Sequence, residues 1–385
     1  MFGKRITLFK LLGFEVKIDV SWLIIAVLIT WSLARAVFPA YFEGLSGTTY
    51  ILMGIVGALG LFVSIVVHEF SHSLVARRFG LTMKGITLFI FGGVAEMEEE
   101  PPTAKAEFFM AIAGPAASVI LGGILYGITV LGAQSGWPNP IIGVLSYLWT
   151  INLVLAAFNL LPAFPLDGGR VLRSALWGFT GRLAWATRIA SLIGSGFGFL
   201  LIAMGVVTIV RGDFVGGIWW FLIGMFVRNA SQTSYRQLVT RRLLEGEPVR
   251  RFMEGNPVTV PYHISVEQLV EDYVYRHHFK MYPVVQEERL VGCVTTRDVK
   301  AIPREQWDQH TVKEVSTACS SENTISPDAD ATDALALMSR TGNSRLMVVE
   351  GERLVGIIAL KDLLEFLSLK MDLEGSRIDK ASPPQ

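Results

Sequence analysis

The sequence predicts a polytopic α-helical membrane protein of about six transmembrane helices with a short membrane-associated β element, followed by a cytosolic α/β part built twice over. Three observations carry this. Of the 385 residues, 51% are hydrophobic and 18% charged, which is too apolar for an ordinary soluble enzyme. Charge is unevenly shared: up to Leu244 there are 18 basic and 11 acidic residues, and beyond it 16 and 23. The polar half repeats itself. The basic excess belongs with the apolar runs, as cationic flanks of membrane spans do, so a lipid bilayer is the expected partner and nucleic acid is not.

Crossing about 30 Å of hydrocarbon takes about 20 apolar residues. Stretches at 20–42, 51–79, 106–131, 141–161 and 184–210 qualify, and a shorter one at 214–227 is anchored by Trp219 and Trp220. Met1 to Asp19 carries Lys4, Arg5, Lys10 and Lys17 and lacks a small-residue cleavage site, so it reads as the flank of an uncleaved first helix. Lysine and arginine gather at one set of span ends, including Arg77, Arg78, Lys105, Arg170 and Arg173, whereas the opposite ends hold Arg35 and Arg211. The positive-inside rule then places both termini in the cytosol, with the plasma membrane as the expected location. The two cysteines, Cys293 and Cys319, suggest neither a disulfide framework nor a cysteine-ligated metal.

The expected domains are 1–240 in the membrane, then repeats at 241–310 and 311–385. Glu288 to Val299 reads ERLVGCVTTRDV and Glu352 to Leu363 reads ERLVGIIALKDL, identical at six of twelve positions with an offset of 64 residues. Each copy parses as an extended segment, a helix, two strands around a polar turn, and a short helix. This resembles a tandem pair of cystathionine β-synthase (CBS) domains. The resemblance implies one disc per pair, an adenine nucleotide such as ATP as ligand, and association into a homodimer. Gly292, Thr295 and Asp298 match the family's phosphate- and ribose-contacting pattern; the second copy keeps Gly356 and Asp362 but has Ala359 at the hydroxyl position. Asp298 and Asp362 equally suit helix capping.

Within the second apolar run stand His68, Glu69, Phe70, Ser71 and His72. Ionisable groups at that depth cost at least about 2.5 kcal/mol each unless they face protein, water or metal. On a helix, positions i and i+4 share a face, so both imidazoles can bind one ion while Glu69 holds a water, the HExxH arrangement of zinc hydrolases. Catalytic zinc normally takes three protein ligands. The other histidines lie in the polar half, which makes a membrane carboxylate the better third ligand. Asp167, in Asn159-Leu-Leu-Pro-Ala-Phe-Pro-Leu-Asp-Gly-Gly-Arg170, answers that description. Pro162 and Pro165 end the preceding helix there, and Gly168 and Gly169 are expected to permit a tight, unusual backbone.

HEFSH in one span and NLLPAFPLDGGR in a later one resemble the site-2 protease family of intramembrane zinc metalloproteases, in its branch with a CBS pair. The resemblance implies Zn(2+) held by His68, His72 and Asp167, water activated by Glu69, and a membrane-anchored protein as substrate. It also implies that Asn159 helps hold substrate or oxyanion, although an asparagine there could instead satisfy unwound backbone. Residues 85–96, with Gly92, Gly93 and Val94, are too short for a crossing and suit a hairpin or re-entrant strand. Such an element could pair with an unwound substrate by strand addition, or be paired only internally. The alternative of another class is a CBS-regulated metal transporter or channel, which should show several ligand sets along a path and related halves.

Overall fold

The computed structural model describes residues 5–81, 83–89, 92–97, 100–287 and 289–378. Two compact units divide the chain, Met1–Arg236 and Gln237–Ile378.

The first unit opens with strands β1 (Arg5–Leu11) and β2 (Phe14–Asp19), where hydropathy shows only a basic flank. Leu12 and Gly13 join them with φ of 48° and 91°, the double positive φ of a two-residue type I′ hairpin turn. A leucine at such a position gives no sequence signal. Strands β3 (Met83–Phe89) and β4 (Gly92–Met97) form an antiparallel hairpin, and β3 lies parallel to β2, giving the order β1-β2-β3-β4. The β element expected at 85–96 is therefore half of a four-stranded sheet. Buried Val16 and Ile86 pack on Val66, with Phe62, Ile65 and Phe70 around them, so the sheet rests on the helix that carries HEFSH.

Helix α1 (Val20–Ser32) starts at Asp19, whose carboxylate accepts from the Ser21 amide, and runs through a π-helical turn, Leu33–Val37, into α2 (Phe38–Tyr41). Together they make one apolar rod, Val20–Tyr41. The other long apolar helices are α3 (Gly47–Arg78), α4 (Ala104–Gln134), α5 (Asn139–Asn159) and α7 (Leu183–Val210), separated in the case of α5 and α7 by the short α6 (Asp167–Thr180). Among the described residues, five helices are thus long and apolar enough to cross a membrane, against the six expected. The sixth stretch, 214–227, is the first part of α8 (Phe214–Leu244), whose continuation through Arg228, Arg236, Arg241 and Arg242 dilutes its hydropathy. Leu23, Ile24, Val27, Leu52, Leu59 and Ile120 stand exposed on these rods, as helices do whose outer face meets hydrocarbon. Glycines at 198, 205, 217 and 224 leave no room for a Cβ between α7 and α8, which lets the two backbones approach closely.

The second unit holds the repeats. The first copy contains β6 (Val260–Pro261), a helical run built from α9 (Val266–Gln268), a π turn and α10 (Tyr275–His277), then β7 (Met281–Gln286), β8 (Arg289–Thr295) and α11 (Thr296–Lys300). After α12 (Val312–Val315), the second copy has β10 (Thr324–Ile325), α13 (Ala331–Thr341), β11 (Arg345–Glu350), β12 (Arg353–Ala359) and α14 (Leu360–Ile378). The leading strand of each copy completes the sheet of the other: β5 (Glu254–Gly255) pairs with β12, and β9 (Thr317–Ala318) with β8. Met281, Leu290, Cys293 and Met347 bury one another across the two copies.

Candidate metal centre

Helix α3 puts His68 and His72 one turn apart, with ring centroids 4.9 Å from each other. Asp167 begins α6, the first helical residue after the Pro162–Pro165 segment. One carboxylate oxygen of Asp167 lies 3.0 Å from His68 Nε2 and 3.2 Å from His72 Nε2. Two ligands of a tetrahedral ion with bonds of about 2.1 Å stand about 3.4 Å apart. Two nitrogens and a carboxylate oxygen at these separations are therefore a donor set that fits zinc. Among the described residues this is the one group of three or more His, Cys, Asp or Glu side chains close enough to share an ion. His68 and His72 are 3% and 7% exposed, so bulk water does not screen the site.

The other ring nitrogens are held by α4. His72 Nδ1 donates to the Met110 carbonyl at 2.6 Å, and His68 Nδ1 lies 2.9 Å from Ser118 Oγ. A donating Nδ1–H leaves the lone pair of His72 on Nε2, facing Asp167. Between these two contacts, a Cβ at Gly114 would collide with Nε2 of both rings. Pro115 follows it inside the helix and removes the amide that the Ala111 carbonyl would otherwise accept, loosening the turn that offers Met110 to His72. Met110, Gly114 and Ser118 repeat every four residues, so they form one face. The sequence reading above singles out neither Gly114 nor Ser118; a Gly-Pro pair with a serine one turn on, inside an apolar run, was the available signal.

The expected unusual backbone at Gly168 and Gly169 is corrected by the structure. Both are ordinary helical residues of α6, and neither has a positive φ. Their missing side chains matter for space: a Cβ at Gly168 would run into the Leu160 and Leu161 carbonyls, and one at Gly169 into the backbone of Ala163 and Phe164. The returning segment therefore lies directly on the first turn of α6, which fixes where Asp167 starts. The Phe164 carbonyl accepts from the Ser231 hydroxyl of α8.

Glu69 follows His68 on α3, and Asn159 ends α5 with its side-chain amide donating to the Leu155 carbonyl one turn back at 3.0 Å. Gly92, Gly93 and Val94 lie on β4, paired with Phe89, Leu88 and Thr87 on one side and at the sheet's edge on the other. In the second unit, Thr295 is the N-cap of α11 and Asp298 its reciprocal partner: Asp298 Oδ2 accepts from the Thr295 amide at 2.8 Å and its hydroxyl at 2.7 Å. Asp362 Oδ2 accepts from the Ala359 amide at 3.1 Å, the same half of a capping box with no hydroxyl to complete it. A cleft of about 540 Å³ opens between the copies on the Ala359 side, lined among others by Lys280, Arg345 and Lys361. The motif reading did not pick out these three cations.

A membrane-embedded metallopeptidase joined to a CBS pair is the class that this fold and ligand set define. The profile of peptidase family M50 matches residues 56–137 and 133–203, and that of the CBS domain matches 249–304 and 312–369. The chain is 34% identical over 366 residues to "Putative zinc metalloprotease Rip3" of Mycobacterium tuberculosis, covering 94% of this chain and 93% of the relative. It is 30% identical over 367 residues to "Zinc metalloprotease MJ0392" of Methanocaldococcus jannaschii, covering 94% and 96%. The solved site-2 protease from Methanocaldococcus jannaschii is 29% identical, covers 60% of this chain and 94% of its own, and superposes with a TM-score of 0.41. The chain belongs to peptidase family M50: it is a multi-pass membrane zinc metalloprotease of the site-2 type carrying two CBS domains.

Proposed function

We propose that this protease hydrolyses a peptide bond in or beside a transmembrane segment of a membrane-anchored protein, with His68, His72 and Asp167 holding zinc and Glu69 acting as general base. The observation that carries this is the convergence of both Nε2 atoms on one Asp167 oxygen while α4 engages both Nδ1 atoms. Zinc bound there would lower the pKa of a water toward about 7 and polarise the scissile carbonyl. Glu69, next to His68 on the same helix, takes the proton of the attacking water and returns it to the leaving amine. The imidazoles keep their orientation because Met110 and Ser118 hold the far nitrogens. Arg77 and Arg78, at the cytosolic end of α3, lie five and six residues beyond His72, about 7.5–9 Å of helix, short enough for a water path.

A helical substrate must be unwound, and the open edge of β4 at Gly92, Gly93 and Val94 supplies backbone groups to receive it as an added strand. Asn159, whose amide oxygen has no role in its bond to Leu155, is the side chain offered to the substrate backbone. Both termini lie in the cytosol at the plasma membrane, with 214–227 as the sixth crossing. The CBS pair binds an adenine nucleotide and mediates a homodimer; the cationic cleft at Lys280, Arg345 and Lys361 suits its phosphates better than the capped Thr295–Asp298 and Asp362 turns do. A metal transporter is not favoured, because the described residues hold one compact ligand set.

The test is Glu69→Gln. The variant should retain one zinc per chain and lose cleavage of a membrane-tethered substrate by at least about 100-fold. Normal cleavage would overturn the assignment of Glu69.

A further inference from the structure

Outside the ligand set, the first unit contains a buried ionic cluster that the proposed chemistry does not use. Glu107 on α4 is fully buried, and Arg173 on α6 is 4% exposed. Glu107 Oε1 accepts from Arg173 Nε at 2.6 Å and from Nη2 as well, with Arg170 Nε 3.8 Å away. Arg173 Nη2 also donates to Glu100 Oε2 at 3.2 Å, and its guanidinium lies over the Phe164 ring at 5.2 Å.

The location of this pair suggests its role. Glu107, Met110, Gly114 and Ser118 share one face of α4, while Asp167 opens α6 and Arg170 and Arg173, one turn and two turns on, meet Glu107 of α4. Asp167 lies opposite the histidine-contacting part of α4, and Arg173 opposite Glu107, so the two helices run antiparallel and meet at two ends. A slip of α6 by one turn, about 5.4 Å, would carry Asp167 out of reach of both rings. Glycine packing against the 160–164 backbone sets the start of α6 from one side only. A buried ion pair gives little net stability once desolvation is counted, whereas two guanidinium nitrogens closing on the single oxygen Oε1, with Glu107 Oε2 buried and without a hydrogen-bond partner among the described residues, fix where the carboxylate sits. We propose that Arg173 and Glu107 form a positioning clamp that registers α6 on α4 and so sets the Asp167 carboxylate against His68 and His72. Arg173 also covers Phe164, and through it ties the returning segment into the same arrangement. The proposal rests on the reading of Asp167 as a metal ligand.

The experiment uses the full chain in lipid nanodiscs loaded with Co(II), comparing Arg173→Lys, Glu107→Gln and Asp167→Asn with the unaltered protein. Arg173→Lys keeps the charge and removes the fork, so it should fold where Arg173→Ala could fail. The clamp predicts an altered Co(II) d–d absorption for both clamp variants and a loss of Co(II) affinity of about 10–100-fold in chelator competition. It also predicts a fall in kcat with KM unchanged. Unaltered spectrum and affinity, with only a lowered thermal midpoint, would mean ordinary packing and overturn the clamp. If Asp167→Asn itself left affinity and spectrum intact, the ligand assignment beneath the proposal would fail, a result distinct from failure of the clamp alone.

Discussion

Gly114 is the position where a single methyl group would do most damage. Its α-carbon faces the two nitrogens that converge on Asp167, and a Cβ would overlap both. Gly114→Ala should therefore leave α4 helical but displace the rings, lowering zinc affinity by about 10–100-fold, as loss of a supporting contact does at metal sites. Zinc retained against a chelator measures it, and retention equal to that of the unaltered protein would refute the steric account. Ser118→Ala should have a smaller effect in the same assay, because His68 loses one hydrogen bond and no space. His68 and His72 were legible in the sequence because imidazoles in an apolar run need a reason to be there, and Asp167, outside those runs, stood out only as a carboxylate that could complete their set. Gly114 and Ser118 were not legible, since small residues are common wherever membrane helices pack.

Among the elements, the sheet departs most from what the sequence suggests. Its β3–β4 half follows from glycines and β-branched residues, whereas β1 and β2 depend on a hairpin turn with a leucine at positive φ and on Val16 packing against Val66. Both edges of the sheet, β1 and β4, are candidates for strand addition. A photo-crosslinker at Val94 should capture a substrate with Glu69→Gln in place, and one at Leu8 should not; the reverse pattern would move the docking edge to β1. In the second unit, α14 is tied back by Lys370, whose ammonium donates to Glu247 at 3.0 Å and to the Leu243 carbonyl at 2.9 Å. The hydrogen bond from Lys370 holds the Glu247 carboxyl below its usual range. A depressed carboxylate stabilises the fold above its unfolded pKa, about 4.3, and that contribution is lost as pH falls through the folded value. Glu247→Gln should accordingly lower the neutral plateau of the thermal midpoint slightly and flatten its acid limb, so that the variant and the unaltered protein converge below about pH 4.

At the scale of the whole molecule, a metalloprotease and a duplicated α/β unit share one chain, and the proposed link between them is a nucleotide. ATP should raise the thermal midpoint of the full-length protein. Lys280→Ala with Arg345→Ala should weaken binding at least about tenfold, since a hydrogen bond to a charged group contributes about 1.5–3 kcal/mol. Loss of binding in Asp298→Ala with the double variant unaffected would instead place the ligand at the first-copy motif. The sequence by itself determined the membrane character, the duplication and the HExxH pair, and offered Asp167 as a candidate third ligand, because each of the first three is written in local composition or in short spacings that survive without a fold. Only the tertiary structure decided the exchange of leading strands between the repeats, the sheet seated on α3, the α4 face behind the histidines and the Glu107–Arg173 pair. Those features join residues tens of positions apart through close packing, and their individual side chains are as unremarkable in sequence as any others of their kind.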